Sequence, residues 1–333
     1  MKNLESENLS IIWIEWGRKI PKYLENNIYL HNLLFPDLLQ YLISDFKPSD
    51  SLLESRVKHV VLEQIPKSSY LERFDEISEK RAEIYSQKNF WIGTTRRFFL
   101  LYDFMHFASL SKAIHVESDN VLLNLDQTER LFTEKDWSIA FPLQSSTLGC
   151  GSIFLVRDLS GLRDFLSFVL ERWKEPSVND MTLLGDFSKE SGEVKVLPSW
   201  PSGDVVFDPG AYGKYFLGSD ARNFRFPTRK RGVTSPEETS LLNSMSHTKI
   251  SIDKEAKTLR VVVNGHTELI NLHIHSKVIP KKPRQLRKFI RQGILGKRGY
   301  LWHAGKIDLL VILERLLSRV ARILGSRKDI RFR

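Results

Sequence analysis

The sequence predicts an α/β fold: a mixed sheet with flanking helices, parallel in its first half, followed by a basic helical tail. Three observations predict it. Strand-like runs of β-branched and aromatic residues alternate with runs of helical apolar spacing through the first half of the chain, the pattern of a sheet crossed by helices. From about Val194 the pattern changes to short alternating stretches, so the later part of the sheet reads as antiparallel or mixed. The composition is globular: 333 residues, 41% hydrophobic and 27% charged, enough to bury a sizeable core. This excludes a disordered, collagen-like or disulfide-scaffold chain.

Taken in order, Ser10–Trp16 is β-branched and aromatic and closes at Gly17, which makes it the first strand. Asn32–Asp45 has helical spacing of its apolar residues, and His59–Ile65 reads as a second strand ending before Pro66. Phe98–Phe107 is almost continuously apolar and predicts a buried helix. Ala113–Val116 is a short strand, Trp137–Leu143 and Ser152–Val156 are two more, and Leu159–Trp173 is an amphipathic helix. Further on, Thr248–Ile252 and Thr258–Asn264 flank a polar turn and predict a hairpin. Glu268–His275 alternates again, and Pro280–Pro283 marks a boundary. The expected organisation is one body over 1–280 and a tail over 281–333.

Charge is distributed unevenly. The whole chain carries a formal +10, yet residues 281–333 hold 16 Lys and Arg against three acids, leaving the body at −3. A near-neutral body argues against a nucleic-acid-binding core. The single cysteine, Cys150, excludes an internal disulfide and a multi-cysteine zinc site. No targeting signal or membrane-length apolar run is visible, so a soluble, cytoplasmic setting is expected.

Ala113-Ile-His-Val-Glu-Ser-Asp-Asn120 carries the most chemistry. A buried strand ends and delivers Glu117, Asp119 and Asn120 at the carboxyl edge, where open α/β sheets bind ligands. Two carboxylates at this spacing can hold a hard divalent cation, Mn²⁺ or Mg²⁺, and the phosphates it bridges; the same residues also suit an ordinary strand-ending turn. The helix before this strand opens with Thr94-Thr-Arg-Arg97. An antiparallel course would set its N-terminus and the guanidinium groups of Arg96 and Arg97 facing the acids. A second segment, Asn271-Leu-His-Ile-His-Ser-Lys277, alternates like a strand. His273, His275 and Lys277 would then share one face, with an imidazole available to a Mn²⁺-like cation and a lysine to a leaving diphosphate.

These residues resemble a known family. Glu117-Ser118-Asp119, behind an Arg-led, Phe-rich helix, is similar to the DXD region of GT-A fold glycosyltransferases, whose sheet is of the Rossmann type. Ile11-Ile-Trp-Ile-Glu-Trp-Gly-Arg18 resembles their nucleotide-side first strand, and the late histidine and lysine of 273–277 resemble their metal and diphosphate ligands. The first acid is Glu rather than Asp, and Lys112-Ala113 stands near where some relatives carry Gly-Gly. The resemblance implies metal-dependent hexosyl transfer from a UDP- or GDP-sugar to a glycan or lipid-linked acceptor, as in polysaccharide biosynthesis. It implies Asp119, Glu117 and His275 as metal ligands. Arg96, Arg97, Lys277, His273 and Asn120 are implied on the donor side, with Trp13 or Trp16 against the nucleobase. It also implies Asp180, within Ser177–Leu184, as general base, although Asn179 or Asp180 could equally cap a helix there. Asp208, in the turn-rich Phe207–Gly213, would bind a sugar hydroxyl or form the turn.

The loop Ser145–Ser152 is small and glycine-rich, suited to close backbone approach, with Cys150 a small buried side chain rather than a nucleophile. In the tail, Lys281–Arg298 is polybasic, and Ile307–Leu324 projects as an amphipathic helix with a broad apolar arc. Such a pair suits an anionic membrane surface at the inner face, or a helix packed on protein. A nucleotidyltransferase-like enzyme, or a non-catalytic nucleic-acid- or membrane-binding protein acting through its tail, are the alternative classes. The first lacks its usual Gly-rich N-terminal phosphate loop, and the second would have no need of Glu117, Asp119 or His275.

Overall fold

The computed structural model describes residues 9–17, 19–53, 56–85, 89–217, 250–252, 259–275 and 277–295. At its centre is a seven-stranded mixed sheet. It is formed by β1 (Ser10–Glu15), β2 (Leu39–Ser44), β3 (Val57–Val61), β4 (Ala113–Val116), β6 (Ile139–Pro142), β7 (Ile153–Val156) and β8 (Val194–Leu197). Their order is β3-β2-β1-β4-β7-β6-β8. The first four are mutually parallel, β7 runs against β4 and β6, and β8 is parallel to β6. The carboxyl ends of β1, β4, β6 and β8 therefore lie along one edge. The expected α/β class and flanking helices are present.

One face of this sheet is covered by α3 (Ser69–Tyr85), α4 (Asn89–Phe107) and α6 (Leu159–Arg172). Phe74, Phe98, Phe99, Phe104, Phe165 and Trp173 are buried there, and each such side chain contributes roughly 1.5–3 kcal/mol through loss of apolar surface to water. The opposite face packs against α1 (Lys22–Leu34), where Trp13, Leu24 and Ile28 meet. Two short helices, α2 (Asp50–Leu53) and α5 (Leu125–Leu131), complete this layer, and α7 (Asp180–Glu190) follows α6.

A smaller unit grows from the same side. It comprises β9 (Val205–Val206), β10 (Ile250–Ile252), β11 (Val261–Val263) and β12 (Thr267–Leu269) in the order β10-β11-β12-β9. Beside it β13 (Asn271–His273) pairs antiparallel with β5 (Asn120–Leu122). Here α8 (Ala211–Leu217) and α9 (Pro283–Leu295) cover a third apolar cluster.

Several sequence expectations need correction. Residues 32–45 are not one helix: α1 ends at Leu34, and Leu39–Ser44 is a strand. That strand pairs on both edges and buries its polar residues Gln40 and Ser44 along with its apolar ones, so periodicity alone misreads it, whereas Pro36 marks the break. The charged helix α3 was not anticipated. Val194 opens no new unit, because β8 extends the main sheet. The expected hairpin exists as the antiparallel pair β10–β11. Glu268–His275 is not one strand: the chain passes through Ile270 from one sheet into another. Finally, α9, the start of the basic segment, packs on the body with Leu286 and Ile290 buried. Ile307–Leu324 lies outside the described residues.

Candidate active site

The acidic segment begins where β4 ends. The strand β4 is paired on both sides through His115 and with β7 alone at Val116, and the Glu117 amide continues that ladder by donating to the Ser152 carbonyl at 2.9 Å. A tight turn follows, closed by the Asn120 amide on the Glu117 carbonyl at 2.9 Å. From the layer below, the Asn27 side chain donates to the Ser118 and Asn120 carbonyls at 3.1 and 2.8 Å. The turn is thus held by backbone bonds, and both carboxylates are free to face the edge.

His273, the last residue of β13, completes the cluster. Its Nε2 lies 3.3 Å from both Glu117 Oε2 and Asp119 Oδ1. One ligand atom from each of the three residues falls within 4.8 Å of the other two. Lys277 Nζ sits 3.0 Å from Asp119 Oδ2 and 4.7 Å from the Tyr23 ring centroid. On the other flank Arg97 bridges two acids, donating through Nη1 to Glu117 and through Nη2 to Asp180 Oδ2 at 3.0 Å.

Electrostatics follow this geometry. Burial opposes charge on both motif acids, yet Arg97 and His273 hold Glu117 below the usual carboxylate range. His273 and Lys277 hold Asp119 well below it. Burial likewise opposes charge on His273 and Lys277, and the surrounding carboxylates raise both. Two ionised carboxylates thus stand among Arg97, His273 and Lys277, and a metal ion bound there would take the place of the proton on His273. Two carboxylates and one imidazole form an oxygen-rich donor set that suits Mn²⁺ or Mg²⁺, so Glu117, Asp119 and His273 fit such an ion.

Not every expected residue joins the cluster. His275 is replaced in it by His273: the strand stops at His273, and Lys277 has a left-handed backbone with φ 56°. The three nonetheless gather on one side: Lys277 reaches Asp119 as His273 does, and the His275 ring stacks on His273 with centroids 4.0 Å apart. Burial and the neighbouring His273 push its pKa well down. Arg96 turns to the outer face of α4, where Nε and Nη2 grip Asp75 at 2.7 and 2.9 Å. Consecutive helix residues point about 100° apart, which separates it from Arg97. Because α4 begins at Asn89, Thr94–Arg97 lie past its first turn and offer no helix N-terminus. Arg97 spends its terminal nitrogens on carboxylates rather than facing a phosphate.

Trp13 is fully buried, hydrogen-bonded to Gln40 and edge-on to His31, so it cannot stack on a base. Trp16, at the open edge, packs against Gly93 and is 36% exposed. The Asn120 side chain is buried against Asn271, within the fold rather than the cleft. Asp208 is saturated by backbone donors, the amides of Gly210, Tyr212, Gly213 and His273 at 2.8–2.9 Å. It orients the end of β13 instead of meeting a sugar. Asn179 caps α7 through a reciprocal box with Thr182, which leaves Asp180 uncommitted to capping. Burial and Glu117 raise the Asp180 carboxyl, against the pull of Arg97. The loop before it makes the expected close approach: a Cβ at Gly149 would fall 2.3 Å from that of Leu184, and one at Gly185 would fall 2.1 Å from the Thr147 carbonyl. Cys150 is buried beside Ser152.

Glu15 was missed. It ends β1 next to Ser118, and burial raises its carboxyl to about 7 against the pull of Ser118 and Lys277. A charged residue closing an otherwise apolar strand, Ile11-Ile-Trp-Ile-Glu15, is the signal that marks it.

Comparison with protein-family models and with curated proteins gives no match. Among solved structures, the chain is similar to mouse xyloside xylosyltransferase 1, with TM-score 0.41 and 11% identity over 58% of this chain and 86% of that one. It is also similar to LgtC, with TM-score 0.38 and 11% identity over 74% and 98% of the two chains. The bifunctional glycosyltransferase WbbM gives TM-score 0.41 and 10% identity over 91% of this chain and 52% of that one. Overlap and identity are low throughout, so residue roles rest on the geometry of this chain. The solved structures named here are glycosyltransferases, the class that its sequence resembles.

Proposed function

We propose that this chain is a GT-A-type, metal-dependent glycosyltransferase that moves a hexose from a UDP- or GDP-sugar to a glycan or lipid-linked acceptor. The convergence of Glu117, Asp119 and His273 at the carboxyl edge of β4 carries this reading. These three residues would hold Mn²⁺ or Mg²⁺, which when bound supplies Lewis-acid charge to a leaving diphosphate. Lys277, positively charged at the rim, adds a second cation for the diphosphate. Arg97 fixes Glu117 and Asp180 in one frame. Asp180, held beside Glu117 by Arg97 and with its carboxyl raised by burial, is the base for an acceptor hydroxyl. Glu15 and Tyr23 close the donor side, and Trp16 takes the nucleobase place assigned above to either tryptophan.

The catalytic unit in this reading is residues 1–280. Among the described residues no helix is long and apolar enough to cross a membrane. The exposed cations of the basic segment, Lys281, Lys282, Arg284, Lys288 and Arg291, have no acid among residues 269–307 to offset them. This one-sided charge supports peripheral contact with an anionic bilayer.

Incubation with UDP- and GDP-sugars and Mn²⁺, reading nucleoside diphosphate release, tests the proposal. Release is expected from one donor and falls about 10²–10³-fold in Asp119→Asn, the loss usual for one group that meets developing charge. Absence of release from every donor, or full activity in Asp119→Asn, would overturn it.

A further inference from the structure

Trp200 is the most exposed of the described tryptophans, ahead of Trp16 at 36%. It is 46% exposed, and among the described residues no aromatic ring or cation stacks on it. It follows β8, whose end Leu197 is paired with Pro142 at the end of β6, so it stands on the same edge of the sheet as Glu117 and Asp119.

Its mounting is rigid. The neighbouring Ser199 hydroxyl donates to the Leu143 carbonyl at 2.8 Å, and the Tyr212 hydroxyl donates to the Ser199 carbonyl at 3.3 Å. The Ser202 amide closes a turn on the Trp200 carbonyl at 2.8 Å, and the Phe207 amide returns to the Pro198 carbonyl at 2.7 Å. Nearly half of this large ring stays in water although the loop that carries it is tied at both ends. It offers a fixed, pre-ordered contact surface, which lowers the entropy cost of binding.

The position selects the ligand. In the strand order, β8 is separated from β4 by β7 and β6, a lateral span of about 14 Å at ordinary strand spacing. Between the two ends lie the 143–149 loop and the N-terminus of α7 with Asp180, joined by the Gly149 amide on the Met181 carbonyl at 2.8 Å. The strand β1, which carries Glu15, flanks β4 on the side opposite β7, so the β8 end lies away from the donor side proposed above. The C–H faces of a pyranose are apolar and carry slight positive charge, and they match the negative face of an indole.

We infer that Trp200 is a stacking platform for a sugar ring of the acceptor, a pyranose within an oligosaccharide, remote from the transferred group. This inference rests on the glycosyltransferase reading. The test uses the full chain labelled with 5-fluorotryptophan, with the Trp200 fluorine resonance assigned by its loss in Trp200→Phe. Maltotriose, cellotriose and chitotriose are titrated, and thermal shift with UDP or GDP plus Mn²⁺ is read on the same samples. One trisaccharide is expected to move the Trp200 resonance saturably, and Trp200→Ala to weaken its binding about tenfold, the scale of one lost aromatic contact. Trp200→Phe should retain most of the affinity, and the nucleotide shift should be the same in all three proteins. A nucleotide shift with no response of Trp200 to any trisaccharide overturns the inference and leaves the glycosyltransferase reading standing. A Trp200 resonance that moves with protein concentration while the mass doubles also overturns it, in favour of self-association along the β8 edge. Loss of the nucleotide shift in the unsubstituted protein strikes the glycosyltransferase reading, and the trisaccharide response then still decides whether Trp200 binds sugar.

Discussion

The carboxylate side and the histidine side of the site are built by different means. Glu117 and Asp119 leave a strand paired on both edges, and α1 clamps their turn from beneath through Asn27. His273 ends a strand of three residues that, among the described residues, pairs with β5 alone, and Lys277 follows it past a turn. Their placement depends on Asp208, which holds the His273 amide at 2.9 Å, and on the Ile274 amide, which donates to the Asp119 carbonyl at 2.7 Å. One side is fixed by the sheet, the other by single hydrogen bonds from buried side chains and backbone. A sheet-fixed motif keeps its geometry when one contact is lost, whereas a motif fixed by individual bonds needs each of them.

Breaking the carboxylate side from behind should give the largest effect. Arg97→Met keeps the volume and removes the charge between Glu117 and Asp180, both buried or nearly so. Stranding such acids without a partner costs about 3–5 kcal/mol, which chemical denaturation would read as a lower midpoint at unchanged slope. A loss under about 1 kcal/mol would mean that the pair is solvated and contributes as surface pairs do.

A smaller effect should appear with pH through His31, which supports the same side. Its Nδ1 faces the Asn27 carbonyl at 2.8 Å, and its Nε2 accepts the Leu122 amide at 3.0 Å. A second proton would meet that N–H, and burial pushes the pKa down to about 4. The unfolded chain binds the proton near pH 6.5 and the folded chain does not. Stability from this residue is therefore fully present above pH 6.5 and is lost as pH falls toward 4, by about 1.4 kcal/mol per unit. Urea unfolding at pH 7 and pH 5 measures it. His31→Gln should reduce the dependence, with the remainder from the buried His115, whose pKa burial and Arg97 push down to about 3, and an equal dependence in both proteins would assign it to other groups.

The comparison also explains what the sequence could and could not disclose. The carboxylate side was legible because β4 is short, apolar and followed at once by Glu117-Ser118-Asp119; secondary structure alone decides where those acids stand. The histidine side was only half legible. Alternation implies that His273, His275 and Lys277 share a side, and they do, but which histidine reaches the acids depends on Asp208 and the left-handed Lys277 that end the strand early. Those are tertiary facts with no local signature. The same limit applies to Arg96 and Arg97: the sequence supplies both, and the packing of the apolar face of α4 on the sheet decides which one turns inward. The run at 39–44 was misread because a strand buried on both faces has no period to detect. Glu15 was overlooked because its importance comes from lying next to Ser118, a neighbour more than a hundred positions away.

The central claim is that His273, and not His275, joins Glu117 and Asp119 around a divalent cation. Titration of Mn²⁺ into the full-length protein, followed by the loss of the free-ion electron spin resonance signal, tests it directly. His273→Ala should weaken binding about tenfold or more, on the scale of metal-site losses, and His275→Ala should bind as the unsubstituted protein does. Wild-type affinity in His273→Ala, with binding lost in His275→Ala, would contradict the account.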